Sequence, residues 1–340
     1  MEYHPRSVVA IGVSLILASA LCRLTMHFLP STVMTRFLEH ILCTVTLAVA
    51  IVPAFDHQLC AAAGDPPVFA RKEPETADEA VKVHACVVGE ATAGATVRVA
   101  VTFDIHPGWH IYWENAGESG APTDMRFELP AGCSAPMISA GRPHIDFPTP
   151  QIFTHGETTF GYEKRVTLSV PVTLPQVIPS AGLPVKVASR WLVCKGRCLM
   201  GNNEIEVDLS KPVSAESASG KELTASLARV PKPAPTTWSI ALEEVGADSA
   251  VLTIDTHTAH AIKFVPCNTP GVLLETGFMA ESNQGELQGD LQGKLRVKLN
   301  VSRENSLESA LEVAGIVIVG NESTAYSFRL PVPAVAKTAG

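Results

Sequence analysis

Cys194 and Cys198 sit four positions apart, enclose Lys195, Gly196 and Arg197, and directly follow the apolar run Trp191-Leu192-Val193. The nucleophile in disulfide exchange is the thiolate, and nearby cations favour its formation at neutral pH. Lys195 and Arg197 supply that charge, and Gly196 lets the short loop bend. The same pair could instead be a structural staple. Against that reading, a bridge across so short a loop restricts the unfolded chain little, by about 2 kcal/mol or less in the loop-entropy model. Exposed or readily reduced bridges are the ones used in exchange. A zinc site would bring a second ligand pair, and none lies nearby, so no metal is expected there. Soft thiolates also select Cu(I), which keeps a binding module in view beside a redox centre.

Three further cysteines follow Gly64: Cys86, Cys133 and Cys267. With Cys194 and Cys198 they make an odd set, so at least one thiol stays unbridged. Cys86 and Cys133 are the candidates for a structural disulfide, and Cys267 is expected as a buried thiol. Trp109-His110-Ile111-Tyr112-Trp113 reads as a strand whose Trp109, Ile111 and Trp113 face a core. His110, Tyr112 and Glu114 either border the cysteines or face solvent. His144, His155, His257 and His260 lack metal-like pairing. No G-x-S-x-G, H-E-x-x-H, phosphate loop or dinucleotide fingerprint occurs, so no cofactor is expected and hydrolase or nucleotide chemistry has no support.

The elements that must hold these residues are strands. Val97, Val99, Val101, Phe103 and Ile105 alternate, as do Val166, Leu168, Val170 and Val172. Pro171 within the second run suggests an edge strand or a strand end. Val185 to Val193 leads into the cysteines, and Ile205, Val207 and Leu209 close the unit. From 85 to 210 no stripe of helical period appears, which predicts an all-β sandwich. Residues 213–237 read as a linker with a short helix over Lys221 to Arg229, ended by Pro231, Pro233 and Pro235. β-patterning resumes over 238–332 as a second, smaller β domain, with 333–340 as a tail.

Ahead of these lie a targeting region over 1–63 and a flexible leader over 64–84, rich in Pro, Glu, Ala and Asp. The apolar runs Val8 to Leu21 and Ile41 to Phe55 are shorter than a membrane-spanning helix needs. The second follows Arg36 and precedes Ala61-Ala62-Ala63, the pattern of a secretory signal with its start at Met34. Export implies an oxidising compartment. The net charge of −8 over 340 residues argues against nucleic acid as a partner.

Taken together, His106-Pro107-Gly108-Trp109-His110-Ile111-Tyr112-Trp113-Glu114-Asn115-Ala116-Gly117-Glu118-Ser119-Gly120, then Phe160-Gly161-Tyr162, then Trp191-Leu192-Val193-Cys194-Lys195 to Cys198 resemble the N-terminal periplasmic domain of DsbD-type thiol:disulfide interchange proteins. The ScsB-like branch, associated with copper tolerance, is the nearer. The resemblance covers about 85 to 210 and extends weakly into 238 to 332. It implies an immunoglobulin-like fold and a periplasmic location. It also implies a redox pair, with Cys198 forming mixed disulfides and Cys194 resolving them. Electrons would come from a membrane-embedded or thioredoxin-like donor on a separate chain and pass to disulfide-containing envelope proteins. The family shields its pair with a cap loop that this sequence does not locate. Leu199-Met200-Gly201-Asn202-Asn203 departs from the proline and acidic residues that relatives often carry after the second cysteine, so the rim of the site is expected to differ.

Overall fold

The computed structural model describes residues 69, 72–246, 248–269, 272–273, 293–301, 311–320 and 324–333. The expected targeting region and the Met34 start lie outside the described residues. What is described belongs to one compact unit, Leu59–Gly340.

Strands dominate, as the period-two patterns predict. A single helical turn, α1 (Ala77–Ala80), leads directly into β1 (Val81–Val88). Then come β2 (Thr96–Ile105), β3 (His110–Gly117), β4 (Asp124–Glu128), β5 (Met137–Ser139) and β6 (Arg142–Pro143). After these follow β7 (Gln151–His155), β8 (Glu157–Glu163), β9 (Arg165–Thr173), β10 (Pro184–Cys194) and β11 (Cys198–Asp208). One sheet has the order β1-β2-β9; the other has the order β11-β10-β3-β8-β7, with β4 also paired to β10. The inner faces of the two sheets share a core that includes Val99, Phe103, Trp109, Ile111, Trp113, Leu168 and Trp191. This is an immunoglobulin-like β-sandwich. Pro171 lies on β9, an edge of the three-stranded sheet, where a missing N–H disrupts the ladder least.

Residues 213–237 carry α2 (Ala218–Leu227), capped by the Ser217 side chain on Gly220 N at 3.0 Å. The helix lies on the three-stranded sheet. Leu223 joins Cys86, Val88 and Ala100 in a small apolar cluster, and Ser226 Oγ donates to Thr167 O at 2.5 Å. Glu222 meets Arg165, which forks onto the buried Asp104 carboxylate at 2.5 and 3.2 Å. These bonds tie the segment to the sandwich despite its linker-like composition.

The smaller β domain follows. Among the described residues its strands are β12 (Lys232–Pro233), β13 (Ser239–Glu243), β14 (Ser249–Asp255), β15 (Ile262–Pro266), β16 (Val272–Leu273), β17 (Lys294–Val301), β18 (Glu312–Val319) and β19 (Thr324–Pro331). They form two four-stranded sheets, β12-β19-β18-β15 and β13-β14-β17-β16. Leu252, Phe264, Val297, Leu299, Ile316 and Val317 are buried in its core.

The expected Cys86–Cys133 bridge does not form; each residue carries a thiol. The reason is their placement on different sides of the packing. Cys86 lies in the α2-covered cluster, whereas Cys133 packs against the main core from the turn after β4. A disulfide needs Cα atoms roughly 4.4–6.8 Å apart with converging Cβ vectors.

Candidate redox site

The cysteine pair closes the tip of one long hairpin. β10 and β11 run in continuous antiparallel register from Pro184 opposite Asp208 to Cys194 opposite Cys198. The three-residue loop turns through Gly196 at φ 65°, a left-handed value that suits glycine, and Lys195 N donates to Arg197 O at 2.9 Å. Cys194 and Cys198 are joined in a disulfide. Their environments differ sharply. Cys194 is only 4% exposed, while Cys198 is exposed to solvent.

Cys194 owes its burial to β3. It stands opposite His110 in the ladder and packs with Tyr112, Ala116 and Leu192. Alternation from Trp109 into β3 therefore puts Trp109, Ile111 and Trp113 in the core and His110 and Tyr112 on the cysteine side. Burial, then the Glu157 carboxylate, pushes the Tyr112 hydroxyl up, so the ring stays neutral at physiological pH. Gly120, at φ 96°, lies against that ring; a Cβ there would fall 2.3 Å from two of its carbons. Phe153 on β7 meets the His110 ring with centroids 4.9 Å apart and so extends the aromatic wall beside the disulfide. Phe153 was not among the residues singled out by type and spacing. Its only sequence signal is an apolar pair, Ile152-Phe153, before the turn at Gly156.

Glu114 meets Cys267 of the smaller β domain. The β3–β8 register shifts between Tyr112 and Gly117, an irregularity of the kind that re-aims side chains. Past it, Asn115 Nδ2 donates to Pro266 O at 2.8 Å. Burial, followed by the Glu114 carboxylate and its hydrogen bond, pushes the neighbouring Cys267 thiol up. Glu114 and Asn115 thus join the sandwich to the smaller β domain.

The cations around the loop are engaged by the segment before α1. Lys195 Nζ donates to Glu73 Oε1 at 2.5 Å, and Trp109 Nε1 donates to Glu73 Oε2 at 3.2 Å. Arg197 donates to the Pro74 carbonyl. The Phe69 and His106 rings meet edge to face with centroids 5.2 Å apart. The sequence placed Glu73 and Pro74 in a solvated leader, so these contacts were missed. Met200, 81% exposed, stands two residues from Cys198 along β11, on the same side of the strand. Among the described residues no group of three or more His, Cys, Asp or Glu side chains could hold a metal.

Residues 76–209 match the family model for the N-terminal part of the thiol:disulfide interchange protein DsbD, and they form a DsbD N-terminal-like domain. The fold is also similar to the crystal structure of the N-terminal periplasmic domain of ScsB from Proteus mirabilis. That similarity has a TM-score of 0.50 and 14% identity, and covers 78% of this chain and 97% of that one. The N-terminal domain of DsbD from Neisseria meningitidis, in its reduced form, aligns at 13% identity and a TM-score of 0.23 over 40% of this chain and 89% of its own. No curated protein sequence matched the chain. No helix among the described residues is long and apolar enough to cross a membrane.

Proposed function

We propose that this protein exchanges electrons through the Cys194–Cys198 pair, in the periplasm, between a thioredoxin-like or membrane-embedded donor and disulfide-containing envelope proteins. The observation that carries the reading is the asymmetry of the pair within the DsbD-like domain: Cys198 exposed, Cys194 buried beside Tyr112. An incoming donor thiolate meets the Cys198 sulfur. As the donor–Cys198 bond forms, the Cys194–Cys198 bond breaks and Cys194 leaves as a thiolate that takes up a proton. The donor's second thiol then attacks its own sulfur in the mixed disulfide. The donor leaves oxidised, and the pair has gained two electrons and two protons. Towards a substrate the sequence reverses, with the Cys198 thiolate attacking the substrate disulfide and Cys194 resolving. Lys195 and Arg197 favour the thiolate through their charge.

The test is trapping. A Cys194→Ser variant retains the attacking sulfur without the resolving one, so mixed disulfides with envelope proteins should accumulate through Cys198. They should vanish on reduction and be missing from a Cys198→Ser variant. Equal trapping by both variants, or none by either, would sink the assignment. The exposed Met200 thioether beside Cys198 favours a second reading, Cu(I) held by the reduced pair, since thiolates and thioethers are its preferred donors. Titration of the reduced protein against a Cu(I) chelator tests it; no stoichiometric binding ends it.

A further inference from the structure

We propose that Glu73 is a positioning residue that holds the Lys195 ammonium over the β2–β3 turn and so tunes how readily the Cys194–Cys198 pair accepts electrons. The inference rests on the exchange reading above. Glu73 lies three residues before the family match begins, so the device belongs to this chain's own leader rather than to the matched domain.

Two observations fix where the ammonium is. Lys195 Nζ lies 2.5 Å from Glu73 Oε1. Its stem also crosses Gly108, where a Cβ would stand 3.4 Å from Lys195 Cε and 3.6 Å from Nζ. The leader is itself anchored. Trp109 Nε1 holds the second Glu73 oxygen, Arg197 holds the Pro74 carbonyl, and Thr76 caps α1, whose Ala77 and Ala80 are buried. Lys195, by its hydrogen bond foremost, holds the Glu73 carboxyl below its ordinary range, so the carboxylate is charged wherever the pair would work.

A carboxylate paired with Lys195 offsets the one cation that stands next to Cys194 in the loop. Reduction creates a thiol whose ionised form competes with Glu73 for the same ammonium. Removing the carboxylate charge leaves Lys195 available to the thiolate, which stabilises the reduced form and makes the pair a stronger oxidant. Glu73 therefore keeps the pair reducing, the poise that delivering electrons to substrates requires.

The experiment equilibrates the full chain with glutathione. Two glutathione thiols reduce the disulfide to two cysteine thiols and leave as glutathione disulfide, passing two electrons and two protons. Glu73→Gln should shift this equilibrium toward the reduced protein about two- to fivefold, the scale of an exposed ion pair. It should also lower the pH midpoint for alkylation of the reduced pair. With the side chains 43% and 61% exposed, molar salt should erase most of the difference. In a Lys195→Met background, Glu73→Gln should change neither quantity, which a merely structural role would not predict. An unchanged equilibrium and alkylation profile in Glu73→Gln, or an undiminished effect in the Lys195→Met background, overturns the proposal while leaving the exchange reading intact. A parent pair that exchanges with no thiol overturns both.

Discussion

Asp208→Asn should destabilise the protein by about 2 kcal/mol at pH 7 and by almost nothing near pH 1. Asp208 sits at the base of the hairpin whose tip carries the cysteines, opposite Pro184. Burial alone would raise its carboxyl. Hydrogen bonds from Ser210 Oγ at 2.6 Å, Leu183 N at 2.8 Å and Ser210 N at 3.0 Å, with Lys211 at 3.1 Å, outweigh that and lower it from 3.8 to about 2. Each tenfold in proton affinity is about 1.4 kcal/mol, and the 23% exposure of the side chain makes the 2 kcal/mol figure an upper one. Because the folded value lies below the unfolded one, the contribution is complete above about pH 4 and disappears as pH falls through about 2. Asparagine keeps a carbonyl acceptor and loses the charge, so it removes the pH-dependent part. Urea unfolding of parent and variant from pH 7 downward measures the gap directly, and other carboxylates cancel because both proteins carry them. A gap that stays constant with pH would place the effect in packing, and no gap at pH 7 would refute the hydrogen-bonded carboxylate.

Gly120→Ala should lower stability by about 2–4 kcal/mol, combining a strained positive φ with overpacking against the Tyr112 ring; thermal unfolding reads it, and an unchanged Tm contradicts the close approach. Glu114→Gln should lower the pH at which Cys267 ionises while leaving it above the ordinary thiol range, because burial persists. Mass mapping of Cys267 alkylation against pH checks this, and no movement removes Glu114 from that contact.

Period-two patterning made most of the first sandwich legible. Strands β2, β9, β10 and β11 follow the alternating residues, and Trp109, Ile111 and Trp113 are buried as their spacing requires. Pro171 lies on an edge strand for the reason its missing N–H suggests. The cysteine pair was legible from type and spacing. Long-range contacts were not. Glu73 meets Lys195 across 122 positions, and its neighbours Pro74 and Glu75 have the composition of a solvated tail. Phe153 reaches His110 only because β7 and β3 flank the same strand, β8, which local pattern does not encode. Cys86 and Cys133 are equivalent as letters; only the placement of α2 and of the turn after β4 separates them. α2 itself has a weak apolar face, and its hold on the sheet comes from Leu223, Glu222 and Ser226 meeting specific partners.

The ladder beneath the disulfide carries a consequence for recognition. Its cross-strand pairs hold β10 and β11 in register whether or not the final pair is covalently joined, and the disulfide closes a very small ring. Oxidised and reduced forms should therefore share one architecture. A partner has no change of overall shape by which to sense which form it has met. The difference is confined to the sulfurs, the three loop residues and the leader segment laid against them. Discrimination between a protein ready to give electrons and one ready to take them must be made by direct touch at that tip.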